Sequence, residues 1–103
     1  MRMLASGDLF DEEVIAEPFE MPGSTQQFAV HQALGFDEGS RGRFAASHVE
    51  TGFAIAFGEA PEAAIEAARK KWASKSIEER NAALERARGI RTARQKNREG
   101  GAL

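Results

Sequence analysis

The chain has 103 residues, 42% of them hydrophobic, and a formal net charge of −2. That length suits one domain with a modest core, since a chain this size buries only about two-thirds of its unfolded surface. The absence of Cys excludes disulfides, thiolate metal sites and Cys nucleophiles. No stretch approaches the roughly 20 apolar residues of a membrane span, and Met1–Asp8 has no signal-like apolar run, so a cytoplasmic protein without membrane contact is expected.

The net charge conceals a split. Residues 1–40 hold one basic residue, Arg2, and eight acids, whereas residues 41–103 hold thirteen basic residues and eight acids. An acidic arm and a basic tail are the expected outcome, either as solvated faces or as surfaces for a partner.

Residues 1–24 form the acidic segment. Leu9-Phe10 and Val14-Ile15 flank Asp11-Glu12-Glu13, which suits a short helix capped by Ser6 or Asp8, with a strand over Val14–Phe19 as the alternative. Pro18 and Met21-Pro22-Gly23-Ser24 end either element. Residues 25–34 alternate, with Phe28, Val30 and Leu34 on one side, and read as a strand. A Gly-punctuated loop follows over 35–42. Residues 43–50 and 53–57 then read as a hairpin turning around Glu50 to Gly52, with Phe53, Ile55 and Phe57 on one face.

At Gly58-Glu59-Ala60-Pro61 the period changes from 2 to 3.6. Pro61 suits the first helical position and Glu62 the positive end of the dipole. This helix runs to about Ser74, with Ile65, Ala68 and Trp72 on one stripe. Ser76-Ile77-Glu78-Glu79 is a capping box and starts a second helix. Ile77, Ala83, Leu84, Ala87 and Ile90 line one side of it, and beyond Ile90 that side passes to Arg91, Arg94 and Arg98.

The expected fold is α+β: a three-stranded antiparallel sheet in the order β-β-β-α-α, two C-terminal helices on one face, and an acidic N-terminal arm. The divisions are an arm over 1–24, a core over 25–90 and a basic extension over 91–103. Phe28, Phe53, Ile55 and Phe57 should pack against Ile65, Trp72, Ile77 and Leu84.

The chemistry-bearing signals are few. His31 and His48 are the only histidines, and a metal site needs three or four convergent ligands, so no metal and no cofactor are expected. Ser47 and His48 are adjacent on a strand and point to opposite faces, which bars a dyad between them. No catalytic residue is assigned, and an enzyme is not expected. Residues 80–98 hold seven Arg or Lys against one acid, Glu85. The residues assigned to partner binding are Arg80, Arg88, Arg91, Arg94 and Arg98, with Asp11, Glu12 and Glu13 on the acidic segment.

Segment Thr51–Ile65, reading Thr-Gly-Phe-Ala-Ile-Ala-Phe-Gly-Glu-Ala-Pro-Glu-Ala-Ala-Ile, resembles the strand–turn–helix stretch of HicB-like antitoxin domains. It spans fifteen residues and lacks the Pro-Gly that usually precedes that strand, so no function is carried over. The functional expectation is a non-enzymatic interaction protein for a larger protein or ribonucleoprotein complex, such as a phage or mobile-element inhibitor of a host defence complex of the anti-CRISPR kind. The alternative is a nucleic-acid-binding accessory protein using the Arg-rich helix. A homodimer in which acidic and basic arms neutralise each other is a further arrangement consistent with the charge split.

Overall fold

The structure, a computed structural model, describes residues 1–6, 11–33 and 43–100, with side chains to residue 94. The expected cap at Asp8, the pair Leu9-Phe10, the loop over 35–42 and the tail at 101–103 lie outside the described residues. Five strands precede two helices: β1 (Arg2–Ser6), β2 (Asp11–Phe19), β3 (Phe28–Gln32), β4 (Phe44–His48), β5 (Ala54–Gly58), α1 (Pro61–Ala73) and α2 (Ile77–Gly100). The strands form one sheet in sequence order, with every neighbouring pair antiparallel.

The expectation of a three-stranded sheet with an acidic arm is therefore corrected. The acidic segment supplies two strands, β1 and β2. Their inward residues are Met3, Ala5 and Ala16. Met and Ala carry little strand signal, and the carboxylates between them mask the alternation.

β2 is shared between two partners. Asp11–Ile15 pairs with β1 and Ala16–Phe19 pairs with β3. Pro18 lies in the half that β1 does not reach, so its missing N–H removes no bond to β1. The sheet also curls. The Ser6 N–H donates to Gly52 O, in the β4–β5 turn, at 2.9 Å. In a flat sheet β1 and β4 lie three spacings apart, about 14 Å.

Two apolar clusters fill the faces. On one, Phe28, Val30, Ala46 and Met21 pack with Ala64, Ala68 and Trp72 of α1 and Leu84 of α2. The Phe28 ring lies 5.6 Å from Trp72, edge-on, and 5.4 Å from the His48 ring. On the other, Met3, Ala16 and Ala29 meet, with Val14 and Val49 beside them. Pro61 opens α1 as expected, and its stripe of Ala64, Ala68 and Trp72 is buried. The capping box is present: Glu79 N–H donates to Ser76 Oγ at 3.1 Å, and Ser76 N–H to Glu79 Oε1 at 3.2 Å.

Two expected core residues are not core. Phe57 is 44% exposed and Ile77 is 73% exposed. A bulge explains the first: Ala46 pairs with Ala56 but Ser47 pairs with Ala54, leaving Ile55 as the extra residue. Past the bulge the alternation reverses, so Ile55 and Ala56 both pack on the helix side while Phe57 opposes Ala45 on the other. Ile77 is the first residue of α2, where the capping turn leaves it outward.

Candidate functional site

The residues assigned to partner binding fall into two groups. The arginines of α2 turn largely inward. Arg80 Nε donates to Trp72 O at 2.9 Å, tying the start of α2 to the end of α1. Arg88 grips Glu50 with two nitrogens, Nε at 3.0 Å and Nη2 at 2.9 Å, and Nη2 also reaches Gln26 Oε1 at 3.3 Å. Arg91 Nη2 donates to Leu4 O at 2.8 Å. Arg94 Nη1 donates to Ser6 Oγ and to Asp11 Oδ1, both at 2.7 Å, and the Asp11 side chain is only 2% exposed. The Arg98 side chain lies outside the described residues.

Helical spacing explains this set. Arg88, Arg91 and Arg94 recur every three residues and share a face of α2, which runs over the β4–β5 turn and along β1. Arg91 and Arg94 reach the outer edge of β1, where Arg91 gives the Leu4 carbonyl a partner, while Arg88 stays with Glu50 and Gln26. The acidic and basic ends of the chain thus meet within one molecule at Arg94–Asp11. Glu12 and Glu13, by contrast, stay exposed. Glu13 meets Arg2 at 3.6 Å on an open surface, where such a pair contributes little.

Both histidines are buried, at 5% for His31 and 1% for His48. His48 Nε2 lies 2.9 Å from Gln26 Oε1 and Nδ1 lies 2.9 Å from Thr51 Oγ1. Burial lowers its pKa; nearby Glu50 raises it and Arg88 lowers it further. Glu50 is itself lowered, chiefly by its hydrogen bonds from Arg88. His48, Gln26, Glu50 and Arg88 thus form one polar network that pins α2 to the sheet.

A serine–histidine contact escaped the sequence reading. Ser47 Oγ lies 2.8 Å from His31 Nε2, across the β3–β4 ladder. His31 Nδ1 donates to Gln32 O at 2.8 Å, which leaves Nε2 of the neutral ring to accept the Ser47 hydroxyl proton. Burial holds the ring neutral by lowering its pKa. This is the hydrogen-bond order of a nucleophile and its base. Ser47, however, has 0% exposure, so it offers no surface to a substrate. The contact satisfies two polar groups beneath the β1–β2 hairpin. The one sequence signal for it was the register, which sets Ala29 opposite Ser47 and His31 two residues on.

Among the described residues no group of three His, Asp or Glu side chains is placed to hold a metal ion, and no helix is long and apolar enough to cross a membrane. A groove of about 220 Å³ lies between β5 and the two helices. Phe53, Ile55, Trp72, Leu84, Ala87 and Ile90 give it an apolar lining, and Lys71, Lys75 and Arg86 border it. No family model, curated protein or solved structure matches the chain. The likeness of residues 51–65 to a strand–turn–helix stretch is met locally, by β5, the turn at Glu59-Ala60 and α1.

Proposed function

We propose that the chain is a non-enzymatic interaction protein that binds a larger protein or nucleoprotein partner through its charged surface. The observation that carries this reading is the outward side of β2. Glu13, Ile15 and Glu17 alternate along it, all exposed, with Ile15 at 79%. A branched apolar side chain between carboxylates suits a basic surface with an apolar recess, where charge steers the approach and the apolar anchor holds. Glu12 is exposed as well, but on the opposite side of the strand. The narrower form of the proposal is a mobile-element inhibitor that occupies the nucleic-acid groove of a host defence complex, where such a row would stand in for phosphates.

The alternative, direct nucleic-acid binding, draws on Arg80, Arg88, Arg91 and Arg94. Each of these already spends guanidinium N–H groups within the chain. Neutralising phosphates with them would require breaking those contacts, so the acidic surface is the preferred site.

The test compares the wild-type chain with a Glu13→Lys, Ile15→Ser, Glu17→Lys variant as bait in cross-linking capture from the native host, alongside gel shifts with DNA and RNA. A protein partner retained by the wild type and lost by the variant is expected. A shift of DNA or RNA at near-physiological salt that the variant leaves intact, with no protein partner retained, would overturn the reading.

A further inference from the structure

We propose that the groove between β5 and the helix pair is a binding site for a small amphipathic carboxylate, a short alkyl or aryl acid. The proposal goes beyond the interaction reading and does not depend on it. Three observations converge. The first is size and lining. An apolar cavity of about 150 Å³ holds benzene, and drug-sized sites begin near 300 Å³, so 220 Å³ suits one ring or one short alkyl chain. The walls come from all three elements: Phe53 and Ile55 on the strand side, Trp72 on α1, and Leu84, Ala87 and Ile90 on α2.

The second is charge. Lys71, Lys75 and Arg86 border the groove, and none of the described residues lining it is acidic. Glu79 acts on Lys75 electrostatically but is itself bonded into the Ser76 capping box. Three cations around an apolar slot select an anion with an apolar body over a cation or a neutral alcohol of the same length.

The third is an orphan donor. Trp72 is 2% exposed, and its Nε1–H has no acceptor among the described residues. A buried N–H left unpaired is disfavoured, so an entering carboxylate oxygen gains more there than at a solvated donor. Trp72 also lines the groove, so an occupant alters the surroundings of the indole. Trp72 is the chain's single tryptophan and there is no Tyr, so its fluorescence reports this event without interference.

The probe is sodium octanoate, titrated into the full chain with Trp72 emission and calorimetry as readouts, against octyltrimethylammonium as the charge-inverted control. Octanoate is expected to shift the emission saturably with one site per chain, half-saturating at about a millimolar or below. The cation is expected to bind at least about tenfold more weakly. Lys71→Gln with Arg86→Gln, both exposed positions, should raise the octanoate midpoint roughly three- to tenfold. Ala83→Phe, which puts a ring into the slot, should abolish the shift while far-UV circular dichroism stays native. Absence of a saturable shift up to about 10 mM octanoate refutes the site. So does equal binding of the cation, or a midpoint unmoved in the Lys71/Arg86 variant.

Discussion

Gly52 is the joint on which the curled sheet closes, and Gly52→Ala tests that closure. Its φ of +75° lies in the left-handed region, which a Cβ disfavours by about 1–2 kcal/mol. A Cβ there would also sit 2.1 Å from Leu4 O, 2.9 Å from Ser6 N and 2.3 Å from Arg91 Nη2. Two of those neighbours are backbone, so β1 itself must move. Moving it breaks the Ser6–Gly52 bond and the Arg91–Leu4 bond, about 1 and 1.5 kcal/mol or more respectively. The sum is about 4 kcal/mol, which for a domain this size lowers Tm by roughly 15–20 °C. Urea and thermal unfolding followed by circular dichroism give the measurement. Gly89→Ala is the internal control. It lies exposed within α2 with nothing near its Cβ position, and should stabilise by about 0.5–1 kcal/mol. If Gly52→Ala stays within about 1 kcal/mol of wild type, β1 is not seated on the β4–β5 turn and the curled-sheet argument fails.

Other consequences are as direct. Ser76→Ala removes the capping-box acceptor and should cost about 1 kcal/mol in urea unfolding, with Ser76→Asp restoring most of it. Arg91→Ala with Arg94→Ala should speed hydrogen exchange at Met3–Ser6 by about tenfold or more while Phe28–Gln32 remains protected; uniform acceleration would show that β1 is not a separate unit. Both histidines have folded pKa values below the ordinary 6.5. The unfolded chain therefore binds more protons just below pH 6.5, and stability should be complete above that value and decline as pH falls toward the folded pKa values. His48→Gln should flatten that decline in urea midpoints measured from pH 7.5 to 5; an unchanged slope would assign it to other groups.

The helical half of the fold was legible because its signals are local. Pro61, the Ala64–Ala68–Trp72 stripe and the Ser76–Glu79 box each lie within a few turns of chain and require no knowledge of distant partners. The strands β3 to β5 were legible from alternation, up to the bulge at Ile55, where one extra residue reversed the outward side and put Phe57 in solvent. β1 was not legible, and β2 was legible only as the alternative strand over Val14–Phe19. Their inward residues are small or weakly β-forming, and the outward carboxylates resemble a solvated arm. At the candidate surface, the charge split was visible, but not which charges stay free. Arg88, Arg91 and Arg94 look like a projecting basic stripe until the fold brings Glu50, Leu4 and Asp11 beneath them. Those contacts join residues 38, 87 and 83 positions apart, beyond any sequence window.

The same separations bear on how the protein is made. β1 leaves the ribosome before α2, yet its outer edge is held by side chains from the second half of that helix. The hairpin of β1 and β2 can form early, but it has no clasp until Arg91 and Arg94 have been synthesised. Seating of β1 is therefore a late, high-contact-order step, slower than helix formation or hairpin closure. A chain truncated after Ile90 would carry an uncapped strand edge and a bare Leu4 carbonyl, the kind of edge that recruits a second chain. The basic helix thus covers the outer edge of β1, and that cover is complete only once Arg94 has been synthesised.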